Sequence, residues 1–361
     1  MKPQRFLIPF ALLSLIAGIW TGLVRMGWQF PFQGALQHHG PLMAGSFLGT
    51  LIILERIVAL SNRALLIIPL INVCSLPLFL LGFPLAAVLC LITGATGLVF
   101  IFIRHSFQHR FIWNYIMTAG ALCYLAGNIL IFFDPPPWCR YGMEVMKTPY
   151  YVGFPWWMGF FLLTITGERL ELSQFLPVSK LAHYFLTIFL MVFIAATFFP
   201  VISSQNYLMA ASLTLISLWL LKYDMAFHSI KKEGQFRYTG ILLITGYLWL
   251  LISSAILLLP SSNPLLFDAL LHSFFIGFVF SMIFAHAPII LPAVAGINAK
   301  PYHPVLYIWS VLLNVSLIVR ITGDLLPDNG LRQWGGLLNG IVIIAFFINM
   351  LILVLLSRTK S

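Results

Sequence analysis

Apolar runs of about 20 residues follow one another along the whole chain, each long enough to cross a hydrocarbon core of about 30 Å as a helix. In lipid, backbone N–H and C=O groups find partners only within the chain, so unbroken runs of this kind fold as helices. Of 361 residues, 60% are hydrophobic and 8% charged, against about 25% charged in a soluble domain. A soluble fold cannot hide that much apolar surface and still present a wet exterior. The expectation is an all-α, polytopic membrane bundle forming a single integral membrane domain over residues 1–361.

Breaks at Pro, Gly, Asn and charged clusters divide the chain into about twelve spans, near 5–24, 35–60, 64–82, 84–103, 111–133, 149–167, 181–200, 206–222, 236–259, 264–292, 303–325 and 333–357. The start, "MKPQRFLIPFALLSLIAGIWTGL", has the basic flank and apolar stretch of a signal peptide but no small-residue cleavage pattern, so it reads as a retained first helix. The net charge of +10 belongs to the positive-inside rule rather than to nucleic acid. With the N-terminus inside, 15 of the 20 Lys and Arg fall on the inner side and 5 on the outer. Both termini are then cytoplasmic in a cell inner membrane, membrane lipids are the surrounding partner, and even-numbered spans run from outside to inside. Cys74, Cys90, Cys123 and Cys139 form no C-x-x-C pair, which leaves neither a disulfide framework nor a zinc motif to argue.

An internal repeat is legible. The second span ends "GTLIILERIVALS" and the sixth "LLTITGERLELS", placing Glu55-Arg56 and Glu168-Arg169 113 residues apart. The tenth span carries no Glu-Arg but shares a histidine followed by a small residue (His272, Gly277) with the second (His39, Gly45). The chain reads as three arcs of four helices, near 1–110, 111–230 and 231–361. Glu-Arg as a simple headgroup cap is the alternative.

Ionisable groups inside a membrane are costly and mark functional positions. His39, with His38 beside it, lies one to two turns below the outer surface on the second span; His272 lies about two turns below it on the tenth. Neutral imidazole is a good axial ligand for haem iron, and equally serves as an interfacial hydrogen-bonding group. Asp268, four residues before His272, shares its helix face. It either orients the imidazole, as carboxylates do for metal-bound histidines, or stabilises a helix start. Arg320 either clasps the carboxylates of a bound haem or pairs with Asp324 one turn on. His286 is about 21 Å along the helix from His272 at 1.5 Å per residue, too far for the same iron. It suits a second metal site, with His183 as a companion, or a histidine satisfied near a broken helix end. Pro288 and Pro292 suggest that the tenth helix unwinds there.

At these residues a resemblance emerges. "HHGPLMAG" resembles the second-helix segment of haem–copper oxidase subunit I, where a histidine followed by a small residue and, four residues on, a methionine binds haem. The matching positions are His39, Gly40 and Met43, and three arcs of four helices is that superfamily's architecture. A closer likeness is to the NnrS family of haem- and copper-containing membrane proteins linked to nitric oxide stress. It rests on "HSFFIGFVFSMIFAHAPIILPAVAG", on Arg320 in "LNVSLIVRITGDL", on Arg169 in "ITGERLELSQF", and on Arg110 and Asn114 in "HRFIWNY". The resemblance implies a haem cofactor with His39 and His272, or one of them with His38, as ligands. It also implies copper as a further metal, and binding of nitric oxide or another small redox molecule. The chain departs from NnrS in carrying His-His-Gly where His-x-His-Glu-Met is usual. It also lacks the oxidase copper pattern, so no oxygen-reducing centre is expected. A second reading is a proton- or ion-coupled transporter working through His183, His286 and Glu55.

Overall fold

The computed structural model describes residues 3–31, 35–60, 62–133, 150–201, 206–260 and 263–358. Every regular element among these is helical, and twelve of the helices have 17 residues or more. They are α1 (Gln4–Arg25), α2 (Pro41–Leu60), α3 (Arg63–Leu80), α4 (Pro84–Gln108), α5 (Ile112–Phe132), α6 (Phe154–Leu172), α7 (Lys180–Ala196), α8 (Tyr207–Tyr223), α9 (Gln235–Leu257), α10 (Leu266–Val294), α11 (Leu306–Leu325) and α12 (Asn329–Ser357). Nine of them, all but α6, α7 and α8, are long and apolar enough to cross a membrane. The protein is therefore an all-α, multi-pass membrane protein. The connection 134–149, with Cys139, Arg140 and Lys147, lies outside the described residues, as do Lys2 and Lys360.

Helix limits follow local chemistry. A turn at Gly82, with φ +82°, separates α3 from α4; that left-handed backbone suits glycine, and Pro84 at the first turn of α4 needs no N–H partner. Helix α6 continues through Glu168-Arg169 to Leu172, five residues beyond the expected end, because Arg169 is buried (5% exposed) rather than solvated at a terminus. Helix α2 begins later than expected, after a short 3₁₀ turn at Leu36–His38.

The largest departure from expectation concerns α10. Its backbone stays helical through Pro288 and Pro292 to Val294 instead of unwinding. Pro288 has no N–H to offer the carbonyl of Phe284, and the Tyr238 hydroxyl donates to that carbonyl at 3.2 Å. Thr239 Oγ1 donates to the next carbonyl, of Ala285, at 3.0 Å. The proline defect is thus repaired from a neighbouring helix. The irregularity lies nearer the start of the helix, where Ser273–Val279 is wound as π-helix. Helix α2 has the same irregularity at Pro41–Gly49. The wide stretch follows His272 directly and His39 after one residue, Gly40.

The chain divides into two compact units, residues 1–160 with 289–299, and residues 161–288 with 300–361. In the first, α1 packs on the π-helical half of α2, α3 on α4, and α4 on α5. Its core includes Leu42, Leu76, Phe79, Ala87, Val88 and Leu91. A second cluster joins Leu7, Leu54, Val73 and Val294. In the second unit consecutive helices from α7 to α12 pack as neighbours, and Phe284 stacks on Phe346 with ring centres 3.6 Å apart.

Candidate functional site

In the first unit, His39 is seated against α1 by glycine. Its Nδ1 lies 2.7 Å from the carbonyl oxygen of Gly18, and a Cβ on Gly22 would lie 2.8 Å from the imidazole ring. A Cβ on Gly18 would collide with the sulfur of Met43. Gly18 and Gly22 form a G-x-x-x-G pair, which lets membrane helices approach closely; this spacing in "AGIWTG" is the signal that marks α1 as the support for His39 and Met43. His38 has a different surrounding. It is buried, with Nδ1 2.6 Å from the Tyr150 hydroxyl and its ring against Phe79.

In the second unit, His272 also sets Nδ1 against a main-chain carbonyl, but one in its own helix. Its Nδ1 lies 2.8 Å from the main-chain carbonyl of Asp268. A carbonyl only accepts, so at both histidines the proton of the neutral ring sits on Nδ1 and Nε2 carries the lone pair, the state a metal requires. The Asp268 carboxylate is farther from His272 Nδ1, at 3.5 Å, and its principal partner is a cation. Arg320 Nη2 donates to Asp268 Oδ2 at 2.9 Å and Arg332 Nη2 to the same oxygen at 3.3 Å. Arg332 Nε also donates to Asp324 Oδ1 at 2.8 Å. Arg320 therefore pairs with Asp268 of α10, and Arg332 bridges Asp268 and Asp324.

The local sequence explains why these charges converge. The turn "LPDNG" joins α11 to α12 in a few residues and makes them antiparallel neighbours. Glycines then bring the two backbones together: a Cβ on Gly323 would lie 2.5 Å from the Arg332 nitrogen, and one on Gly335 would lie 2.5 Å from the Arg320 nitrogen. Two carboxylates and two guanidinium groups share the space, and the charges cancel, as a low-dielectric setting requires. The Oδ2 of Asp324, a residue with no exposure, has no hydrogen-bond partner among the described residues. Sequence reading did not single out Arg332; the short turn was the available clue.

Ser273–Val279 packs on α9. A Cβ on Gly277 would lie 2.5 Å from the Trp249 ring, whose Nε1 donates to Asn314 Oδ1 at 2.6 Å. Ser253 and Ser273 hydroxyls meet at 2.8 Å. The π-helical stretch of α2 is buttressed comparably: Asn72 Nδ2 donates to the Gly45 carbonyl at 3.0 Å and to Thr50 Oγ1 at 2.8 Å.

His286 is not arranged as a metal ligand. Its Nδ1 lies 2.8 Å from the Met282 carbonyl and its Nε2 3.4 Å from Arg169 Nη1, so the lone pair a metal would need faces a cation. Arg169 is itself clasped by Asp224, with Nε to Oδ2 at 2.9 Å and Nη2 to Oδ1 at 3.1 Å. His183 has separate partners, the Ser179 carbonyl and the Trp219 ring. Arg56, the counterpart of Arg169 in the sequence repeat, lies over the ring of Phe102. Among the described residues no three His, Cys, Asp or Glu side chains converge as a metal-binding group. A haem iron makes no such demand, since the macrocycle supplies four nitrogens.

A family model, Domain of unknown function (DUF8744), matches residues 5–355. The chain belongs to this family. No curated protein and no solved structure matches it. The candidate groups of this DUF8744 chain are thus His39 against α1 in one unit, and His272 with the Asp268–Arg320–Arg332–Asp324 cluster in the other.

Proposed function

We propose that this DUF8744 protein is an NnrS-like haem protein of the inner membrane that binds nitric oxide or another small redox molecule, or passes electrons to one. The observation that carries the reading is the π-helical stretch that follows each of two histidines. His39 and His272 each lead into a π-helical stretch, and each directs Nδ1–H at a main-chain carbonyl, leaving Nε2 as the basic nitrogen. π-Helical turns are rare and concentrate at functional sites. Each histidine is accordingly a candidate axial ligand. Arg320 is the propionate partner in this reading, and would take a propionate beside or in place of Asp268. When bound, the haem supplies the iron at which a diatomic gas is held or an electron transferred.

The same observation supports α2 and α10 as equivalents in the proposed series of four-helix repeats; α6 joins them through the Glu-Arg spacing, and twelve crossings follow from helix length. Helices α7 and α8, at 17 residues each, meet the lower limit of about 17 for a crossing helix. Helix α6 carries its charges, Glu168, Arg169 and Glu171, at its C-terminal end and none before them. The distribution of Lys and Arg supports cytoplasmic termini.

The test is the absorption spectrum of protein purified after expression with added haem precursor. A Soret band is expected, diminished or shifted in His272→Ala and in His39→Ala and retained in His38→Ala. A colourless protein, or an unchanged band in both His39→Ala and His272→Ala, overturns the assignment. Proton flux driven by a substrate in liposomes would then favour transport.

A further inference from the structure

Four elements of the first unit meet at the end of the spans where α1 begins. They are the first turn of α1, the end of α2, the start of α3 and the end of α10. Arg5 fastens this junction, donating from Nε to the Ala295 carbonyl at 2.7 Å and from Nη2 to the Gly296 carbonyl at 3.2 Å. Those carbonyls are presented because the chain turns out of α10 at Gly296, whose φ is +60°. Next to this clamp lies a cavity of about 230 Å³. Its wall is of two kinds. Val58, Leu66 and Ala293 supply apolar surface, and Val58 and Leu66 also pack on the Leu7–Leu54–Val73–Val294 cluster. Gln4, Asn62 and Arg63 supply two amides and one cation, with no carboxylate among the lining residues.

We propose that this cavity holds the headgroup of an anionic phospholipid, with the phosphate against Arg63, the headgroup hydroxyls on Gln4 and Asn62, and the acyl chains running out along the lipid-facing surface. Three observations select that occupant. The cavity stands at the end of membrane-crossing helices, where headgroups lie. Its charge is positive and uncompensated by any lining acid, as basic recesses beside membrane helices require for acidic lipids. Its apolar half continues a packed hydrophobic floor, which a free inorganic anion has no use for. A zwitterionic headgroup would set its own ammonium beside Arg63. This inference is independent of haem.

The test uses the full-length protein in detergent, with native mass spectrometry counting retained lipid after exposure to phosphatidylglycerol or phosphatidylcholine. Phosphatidylglycerol is expected to be retained several-fold better. The preference should fall roughly fivefold in Arg63→Gln, the loss of one cation near a membrane surface. It should also fall in Val58→Trp, which fills the cavity and leaves the charge. Arg63 is exposed, so Arg63→Gln folds and decides the matter even if Val58→Trp does not. Inorganic phosphate at millimolar concentration should leave the bound lipid in place. Equal retention of the two lipids, an unchanged preference in Arg63→Gln, or displacement by phosphate each overturns the proposal.

Discussion

Asp268 and Arg320 stand 52 residues apart in sequence and meet at 2.9 Å, one on each of two neighbouring helices. Arg320 is 7% exposed and Asp268 23%, so each charge depends chiefly on its partner. Their pairing gives the first prediction. Arg320→Gln or Asp268→Asn alone should cost about 2–4 kcal/mol, slightly below the value for a fully dry pair because Asp268 keeps some exposure. The double substitution should cost less than the sum, since no uncompensated charge remains. Thermal unfolding in detergent measures all three.

Gly277 touches the Trp249 ring so closely that no methyl group fits between them. Gly277→Ala should therefore destabilise by about 1–3 kcal/mol through overpacking. Trp249→Phe in the same chain should relieve part of that loss, while sacrificing the hydrogen bond to Asn314. Recovery is read from melting temperature; a double variant no better than Gly277→Ala alone refutes the packing account.

Asn72 serves the Gly45 carbonyl and the Thr50 hydroxyl together. Its replacement by alanine leaves both groups buried without that donor. Hydrogen bonds between membrane helices average less than in water-exposed folds, so a loss of about 1–2 kcal/mol is expected rather than the larger penalty for a soluble core. Hydrogen exchange at residues 45–50 should rise in parallel.

Arg169 holds Asp224 with two nitrogens, and His286 accepts from a third. Lysine cannot reproduce that fork. Arg169→Lys should destabilise nearly as much as Arg169→Gln, by about 2–4 kcal/mol. His286→Gln, which keeps an acceptor, should cost under about 1 kcal/mol and leave any Soret band unchanged. A spectral change in His286→Gln would return that residue to the list of ligands.

The spans were legible because lipid imposes one rule, continuous apolar length, and Pro, Gly and charge punctuate it plainly. His39 and His272 stood out for the same reason: a polar ring in an apolar run is conspicuous. The π-helical stretches were not legible, because Pro41–Gly49 and Ser273–Val279 are buried on nearly every side. An all-apolar segment has no stripe whose period distinguishes one winding from another. The partner of Arg320 was hidden for a different cause. Asp324 is its neighbour along the helix, whereas Asp268 is brought to it by helix packing. Likewise, Pro288 looked like a break because the Tyr238 hydroxyl that mends it lies 50 residues earlier.

The wide winding after each histidine has a consequence for how these positions can change. An α-helix turns about 100° per residue, and a π-helical turn accommodates one residue more than the α-helical turn it replaces. Removing a single residue from 41–49 or from 273–279 would let the wide turn close to an α-helical one and leave the preceding imidazole facing as before, whereas the same deletion in the α-helical stretch beyond would turn the two flanks by roughly 100° relative to each other. Each wide turn can thus give up a residue without redirecting its ring, so a one-codon deletion there is better tolerated than one in the α-helical residues that follow.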